Sequence, residues 1–232
     1  VALRTALSSL QATQSQFQVA SNNIANVNTA GYTRKTQTVS SVVLDGNGAG
    51  VRAGTVQRSV DSFLVNQVRS QSSASSQWTV FDRYMQSLVD QFGTPADSTS
   101  LAGTITALQT AFAALAAQPE SAAQVSQTVG QADLMAQQIN ALSSTIQQTR
   151  AQADTEISSI VNDVNSTLDQ IAQLNVQLVR AQTLGQPTGD LADQRDSLVR
   201  KVSENLDVRS YTRTNGDLVL MTGSGRRLVD GD

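Results

Sequence analysis

Apolar residues open the chain at strict seven-residue spacing: Leu3, Leu10, Phe17 and Ile24, with Leu7 and Ala20 beside them and Ser, Gln and Thr opposite. A stripe that repeats this way is the seam of a coiled-coil helix. A lone helix of this length is marginal in water and needs a partner along its stripe. No nearby segment supplies one unambiguously. The stripe ends in "ASNNIANVNTAGYTR" (20–34), where Asn22, Asn23, Asn26 and Asn28 crowd ahead of Gly31 and Tyr32. Asn28 and Gly31 read as a helix end, because asparagine amides bond the backbone locally and glycine accepts the left-handed conformation. Asn22, Asn23 and Asn26 come before that end, in a residue type that forms helix poorly. For them a local stop and an amide-lined packing surface are both open readings.

The period changes over 36–59, where β-branched residues flank "DGNGAG" and predict a loose hairpin or extended connector. Helical spacing returns at Val60, Leu64, Val68, Trp78, Phe81, Met85, Leu88 and Phe92, until Gly93-Thr94-Pro95 stops it. Leu101, Ile105, Leu108, Phe112 and Leu115 predict an amphipathic helix. Pro119 suits the first position of the next one. That helix keeps one stripe through Ile139, Leu142, Ile146, Ala153, Ile157, Ile160, Val164, Leu168, Ile171, Leu174 and Leu178, with no proline before Pro187. About fifty residues at ~1.5 Å each make a rod of roughly 75 Å, which must lie along other helices. Gly185 and Pro187 break it, and Asp190 is expected to cap the following helix with Asp193 three residues on. "LDVRSYTRTNGDLVLMTG" then alternates like strands around Asn215-Gly216, the favoured two-residue hairpin turn.

The fold class expected is mainly α, an elongated bundle of long helices. An N-terminal coiled-coil-type helix (1–35) leads through a connector or hairpin (36–59) to a long-helix bundle domain (60–205) and the start of an outer β domain (206–232). The chain opens at Val1 without an initiator Met and stops in a strand-and-turn pattern, so a fragment or processed chain is expected.

Composition narrows the chemistry. Of 232 residues, 39% are hydrophobic and only 4% aromatic, which allows a thin Leu, Ile, Val and Ala core of the kind long helices share. A net charge of −3 with no basic cluster argues against nucleic acid. No apolar run approaches the ~20 residues that span a bilayer, and no leader with a small-residue cleavage site opens the chain. The absence of Cys excludes disulfides and thiolate metal sites, and fits a chain that travels unfolded without cross-linking. The absence of His removes the commonest general base. Lys35 and Lys201, the only lysines, stand in unrelated contexts and offer no base to a serine nucleophile. Asp190, Asp193 and Asp196 could be imagined as metal ligands, but a helix cap with a solvated acidic face is the plainer reading. "GNGAG" lacks the Lys and the strand–loop–helix setting of a phosphate loop and reads as a turn. No catalytic, cofactor-binding or metal site is assigned.

Three motifs carry a resemblance. "SNNIANVNTAGYTR" resembles the shared N-terminal signature of flagellar axial proteins, the rod, hook and hook-associated set, with Ala30 where that family usually has Pro. "GVRAGTVQRSVDSFLVNQVRSQSS" is similar to a stretch of the members at the hook–filament junction, matched at Arg58, Asp61, Phe63, Leu64, Gln67 and Arg69, with Ala53 replacing a β-branched residue. "GDLADQRDSLVRKVSENLDV" resembles a third segment of those members through Asp193, Gln194, Arg195 and Asp196, with Val202 at its last apolar place. The first motif points only to the axial family; the second and third point to its junction members.

The resemblance implies an extracellular structural protein with no enzymatic activity and no cofactor. It implies export as an unfolded chain through the flagellar type III channel, without a cleaved leader, and assembly as a short ring joining hook to filament. The implied partners are other copies of itself, hook protein, neighbouring hook-associated and filament proteins, and an export chaperone, with no nucleic acid and no membrane. The helix of about residues 1–34 would pair with a C-terminal helix absent from this chain and line the inner tube. Leu3, Leu7, Leu10, Phe17, Asn22, Asn23, Ile24, Asn26, Asn28, Gly31 and Tyr32 would then lie at subunit interfaces. The amide-rich end would sit between neighbouring subunits near a narrow wet channel, where buried charge is costly. A hook or rod subunit, and a secreted helical adaptor or adhesin-like stalk, are the competing readings.

Overall fold

A computed structural model describes residues 2–44, 47–94 and 97–231. Among them the elements run α1 (Ala2–Ala25), β1 (Lys35–Leu44), β2 (Asn47–Arg58), α2 (Ser62–Phe92), α3 (Leu101–Ala117), α4 (Ala122–Thr183), α5 (Gly189–Ser203), β3 (Val208–Thr212), β4 (Leu218–Thr222) and β5 (Arg227–Val229). The fold is mainly α, as the periodicity predicts. It divides into two compact units, Val1–Ser76 with Asn162–Asp232, and Gln77–Val161.

The first unit has a dense apolar core where the second half of α4 meets α5 and the antiparallel sheet β3-β4-β5. Ile171, Val199, Val202, Val219 and Leu220 are buried completely or nearly so. Successive strand residues face opposite sides, so three buried neighbours in β4, Leu218 to Leu220, mean that this strand is covered on both faces. The β3–β4 loop is one residue wider than expected. Arg213 N donates to Asp217 O at 2.8 Å and Gly216 N to Arg213 O at 3.0 Å, so three residues turn the chain rather than two. The Arg213–Asp217 ion pair at 2.9 Å and the Asp217 N–H bonded to Asn215 Oδ1 at 3.1 Å hold the wider form.

The same unit contains α1 and the hairpin β1–β2, which pairs from Lys35↔Arg58 to Leu44↔Asn47. The tip expected at Asp45-Gly46 lies outside the described residues. α1 lies against this hairpin with an unexpected face. The half-buried or buried positions are Thr5, Ser8, Ala12, Ser15, Val19 and Asn23, three and four residues apart, and Leu3, Leu10, Phe17 and Ile24 point away. Small polar side chains allow a close approach: a Cβ at Gly50 would meet Ser8 Oγ at 2.3 Å and Thr5 Cα at 3.5 Å. Val51 N donates to Ser8 Oγ at 3.2 Å, and Ser15 Oγ to Gln37 Oε1 at 2.8 Å. α1 ends at Ala25, short of the residue 34 that the resemblance implies, and turns carry the chain to Gly31 at φ 82°.

α2 is capped by Asp61, whose Oδ1 accepts the N–H groups of Phe63 (3.0 Å) and Leu64 (3.1 Å). That gives the aspartate of the second motif a local reason. α2 ends ahead of Gly93, while the expected proline stop at Pro95 lies outside the described residues.

Within the second unit, Ser100 caps α3 through Gly103 N at 3.0 Å. Pro119 does not begin α4. It sits in the turn before it, and Ser121 takes the capping place, its Oγ accepting Gln124 N at 3.4 Å and its carbonyl Val125 N at 3.1 Å. Burial is thin here: Ala111 and Thr128 are buried against each other, with Thr128 Oγ1 donating to Ala111 O at 3.3 Å. Arg83 and Tyr84 of α2 both bond Glu156 of α4, at 2.6 Å each. The long stripe on α4 is buried at Val164, Ile171 and Leu178 in the first unit, whereas Ile139 and Ile157 in the second are exposed. Among the described residues no helix is long and apolar enough to cross a membrane.

Candidate functional site

The three sequence motifs meet at one place in the first unit. Their meeting begins with a register problem. Pairing Lys35 with Arg58 sets two cations directly opposite at the base of the hairpin, and like charges so placed repel. Asp193 of α5 answers both. Its Oδ2 takes Lys35 Nζ at 2.9 Å and its Oδ1 takes Arg58 Nε at 2.9 Å. Thr33 adds its N–H at 3.2 Å and its hydroxyl at 2.5 Å to the same carboxylate. One turn further along α5, Asp196 receives Arg58 Nη2 at 2.5 Å and Arg69 Nη2 of α2 at 3.2 Å. Asp190, one turn earlier, takes Lys35 Nζ at 2.8 Å. Three cations thus face three carboxylates.

This corrects the reading of the acidic residues as a cap with a solvated face. Asp193 is only 8% exposed. The N-cap position of α5 belongs to Thr188, which makes no side-chain capping bond. Asp190 alone is largely in solvent, with its side chain 81% exposed. The carboxylates are consumed by cations rather than free for a metal, and no cluster of three or more His, Cys, Asp or Glu placed to hold one occurs among the described residues.

Asn23 links α1 to this clasp. Its Nδ2 donates to Lys35 O at 2.8 Å, and its Oδ1 accepts Lys35 N at 2.9 Å and the Tyr32 hydroxyl at 2.9 Å. The amide thus pairs with both backbone groups of Lys35, as a neighbouring strand would. Tyr32 also lies beneath the Lys35 ammonium, 3.7 Å from the ring centroid. Desolvation pulls the Lys35 pKa down, but the bonds to Asp190 and Asp193 outweigh it and leave the group above its ordinary value.

Arg195 faces the opposite way. Its Nη1 donates to Asn175 Oδ1 at 2.9 Å and to Gly216 O at 2.8 Å, while Asn175 pairs with the Leu218 N–H and carbonyl at 3.2 and 2.8 Å. Burial lowers the pKa of Arg195, and of Arg69 likewise. The two aspartates of "DQRD" therefore bind α5 to the clasp on one side, and its arginine binds α5 to α4 and the β3–β4 loop on the other. Gln194 is exposed and lines a polar cleft with Asn22, Asn26 and Asp190. Asn28 is exposed. In the second motif Arg58 and Arg69 join the clasp, Asp61 caps α2, and Gln67, Phe63 and Leu64 are exposed, with Leu64 lining an apolar groove of about 340 Å³ beside Val60, Val65 and Val68. Sequence reading missed Thr33, Lys35 and Asn175 as members of this network. Only the place of Thr33 near the end of the first motif, and of Lys35 immediately after it, could have flagged those two.

The uncovered seam of α1 is the second feature. Leu3 is 85% exposed, Phe17 73% and Ile24 74%, with Leu7 and Leu10 more than half exposed.

The asparagine-rich opening helix and the segment that carries Asp193 and Asp196 both fall within family matches. Residues 85–232 match the model of the flagellar hook-associated protein FlgK helical domain, and residues 3–33 that of the flagella basal body rod protein. The chain belongs to the FlgK family of flagellar hook-associated proteins. Flagellar hook-associated protein 1 of Salmonella typhimurium is 34% identical, over 97% of this chain and 42% of that protein. The Escherichia coli protein of the same name is 30% identical, over 99% and 43%. The solved structure of the flagellar hook junction protein FlgK from Burkholderia pseudomallei is similar at a TM-score of 0.62 and 28% identity, covering 73% of this chain and 29% of that one. The chain thus spans less than half the length of these relatives.

Proposed function

We propose that this chain serves as a structural, non-catalytic part of the junction between flagellar hook and filament, outside the cell. The observation that carries the reading is the α1 seam, a coiled-coil stripe left in solvent while a polar stripe faces the chain's own hairpin. Covering each large apolar side chain is worth about 1.5–3 kcal/mol. A complementary helix together with neighbouring copies in a tube would supply that cover, and Asn22, Asn26 and Asn28 would face those copies. Hook protein on one side, and hook-associated and filament proteins on the other, complete the set of partners. Export as an unfolded chain through the type III channel, with a chaperone shielding the seam, accords with the absence of cysteine.

The test is a triple substitution, L10Q, F17Q and I24Q, in cells making the full-length protein. The isolated chain should keep its unfolding midpoint, because these side chains are exposed. The cells should lose filament attachment and swimming. Normal swimming would overturn the proposal. The match of residues 3–33 to rod proteins favours one second reading, a rod or hook subunit. Immunogold labelling separates the two: a junction protein marks one band at the distal hook, and a hook protein marks its whole length.

A further inference from the structure

We propose that Asp193 and Asp196, with Lys35, Arg58 and Arg69, form an ionic joint that fixes the direction in which the α1–hairpin lobe leaves α5, so that the lobe swings as one body when the joint loses its negative charge.

Four observations converge on this. The lobe is tied to α5 by polar contacts concentrated at residues 33, 35 and 58. Elsewhere an open cleft of about 730 Å³, lined by Ser15, Gln37, Val56, Gln186 and Thr188, separates the hairpin from the α4–α5 loop. The lobe is coupled internally, because Asn23 grips both backbone groups of Lys35 and α1 must follow wherever that residue goes. The body does not depend on the joint: the other face of α5 is held by Arg195 and by the buried Val199 and Val202.

The charged surroundings show what removal of charge would do. Asp193 is faced by Lys35 from β1 and Arg58 from β2, and Asp196 by Arg58 and by Arg69 from α2. On α5 itself Asp190 and Arg195 flank them, and Tyr32 lies against Lys35. Without the two carboxylates, Lys35 and Arg58 again oppose each other in register with only the peripheral Asp190 to answer them. Arg58 and Arg69, no longer bridged by Asp196, repel each other as well, and that repulsion pushes the hairpin base away from α2. A joint of this kind directs α1 whatever comes to cover its seam.

The absence of cysteine makes the test clean. Spin labels go on Gln14→Cys of α1 and Gln177→Cys of α4, both exposed. Dipolar distance measurement on the parent chain should give one narrow peak. D193N with D196N should lose that peak to a broad distribution, while the amides of α5 and β3–β5 keep their protection from hydrogen exchange. D190N should keep the narrow peak. An unchanged peak in D193N/D196N would overturn the joint. So would loss of amide protection throughout α5 and β4 in that variant, which would make the carboxylates part of the core, or a broad distribution in D190N.

Discussion

Two regions of the first unit use the same parts, a helix beside an antiparallel hairpin, with opposite polarity. In the α4–α5–sheet region Ile171, Leu178, Val199 and Val219 turn inward and seal one another from water. In the α1–hairpin region the inward stripe is Thr5, Ser8, Ala12 and Ser15, and leucine, phenylalanine and isoleucine turn outward. The difference teaches that amphipathic spacing reports the existence of a stripe, not where its cover comes from. The first region is a finished core. The second has a backbone held by hydrogen bonds and an apolar surface held in reserve.

The largest test is the pair Ile171→Ala and Leu10→Ala. Ile171 is fully buried, and its truncation should cost about 2–5 kcal/mol, transfer and cavity combined. Leu10 is 66% exposed, and its loss should change the isolated chain by no more than about 0.5 kcal/mol. Urea unfolding measures both. Equal losses would erase the distinction between the regions.

A smaller effect should come from Arg195→Met, which keeps most of the volume and removes the donors to Asn175 and Gly216. Leaving those acceptors short should cost about 1–3 kcal/mol. Hydrogen exchange would locate the damage: the β3–β4 loop and α5 should open, and the α1–hairpin amides should stay as protected as before. Equal opening of both would show that the two regions unfold together.

Much of the fold was legible in local pattern. The α1 seam, the long α4 stripe, the hairpin over 36–59 and the strands after residue 206 follow from spacing that each segment carries by itself. The clasp was not legible in the same way. Lys35 and Asp193 stand 158 positions apart, and no local period connects a strand-base lysine with a helical aspartate. Asp190 and Asp193 carried a credible local reading as caps, and only tertiary contact shows that their charge answers the hairpin instead. Asn23 was open to two readings for a related reason. An amide beside an apolar stripe suits a neighbouring subunit as well as it suits a backbone twelve residues on, and the chain uses the nearer partner.

Lys35 lies where the two regions meet, and its titration offers the finest test of how they are joined. Its folded pKa is raised above the ordinary 10.5, because the carboxylates of Asp190 and Asp193 outweigh the desolvation that would lower it. The folded state therefore holds this proton more tightly than the unfolded chain does. The stabilisation from Lys35 is complete below 10.5 and is lost as pH rises through the higher folded value. The stability difference between the parent chain and Lys35→Met should stay constant from neutral pH to about pH 10 and shrink above that. Urea unfolding at stepped pH gives the difference, and subtraction cancels the tyrosines and the other lysine. Exchange at the hairpin amides should follow the same limb, with the α4–α5–sheet amides unmoved. A difference that grew with alkali would mean that burial governs this ammonium rather than its carboxylate partners, and the lobe would then be held to α5 by something other than charge.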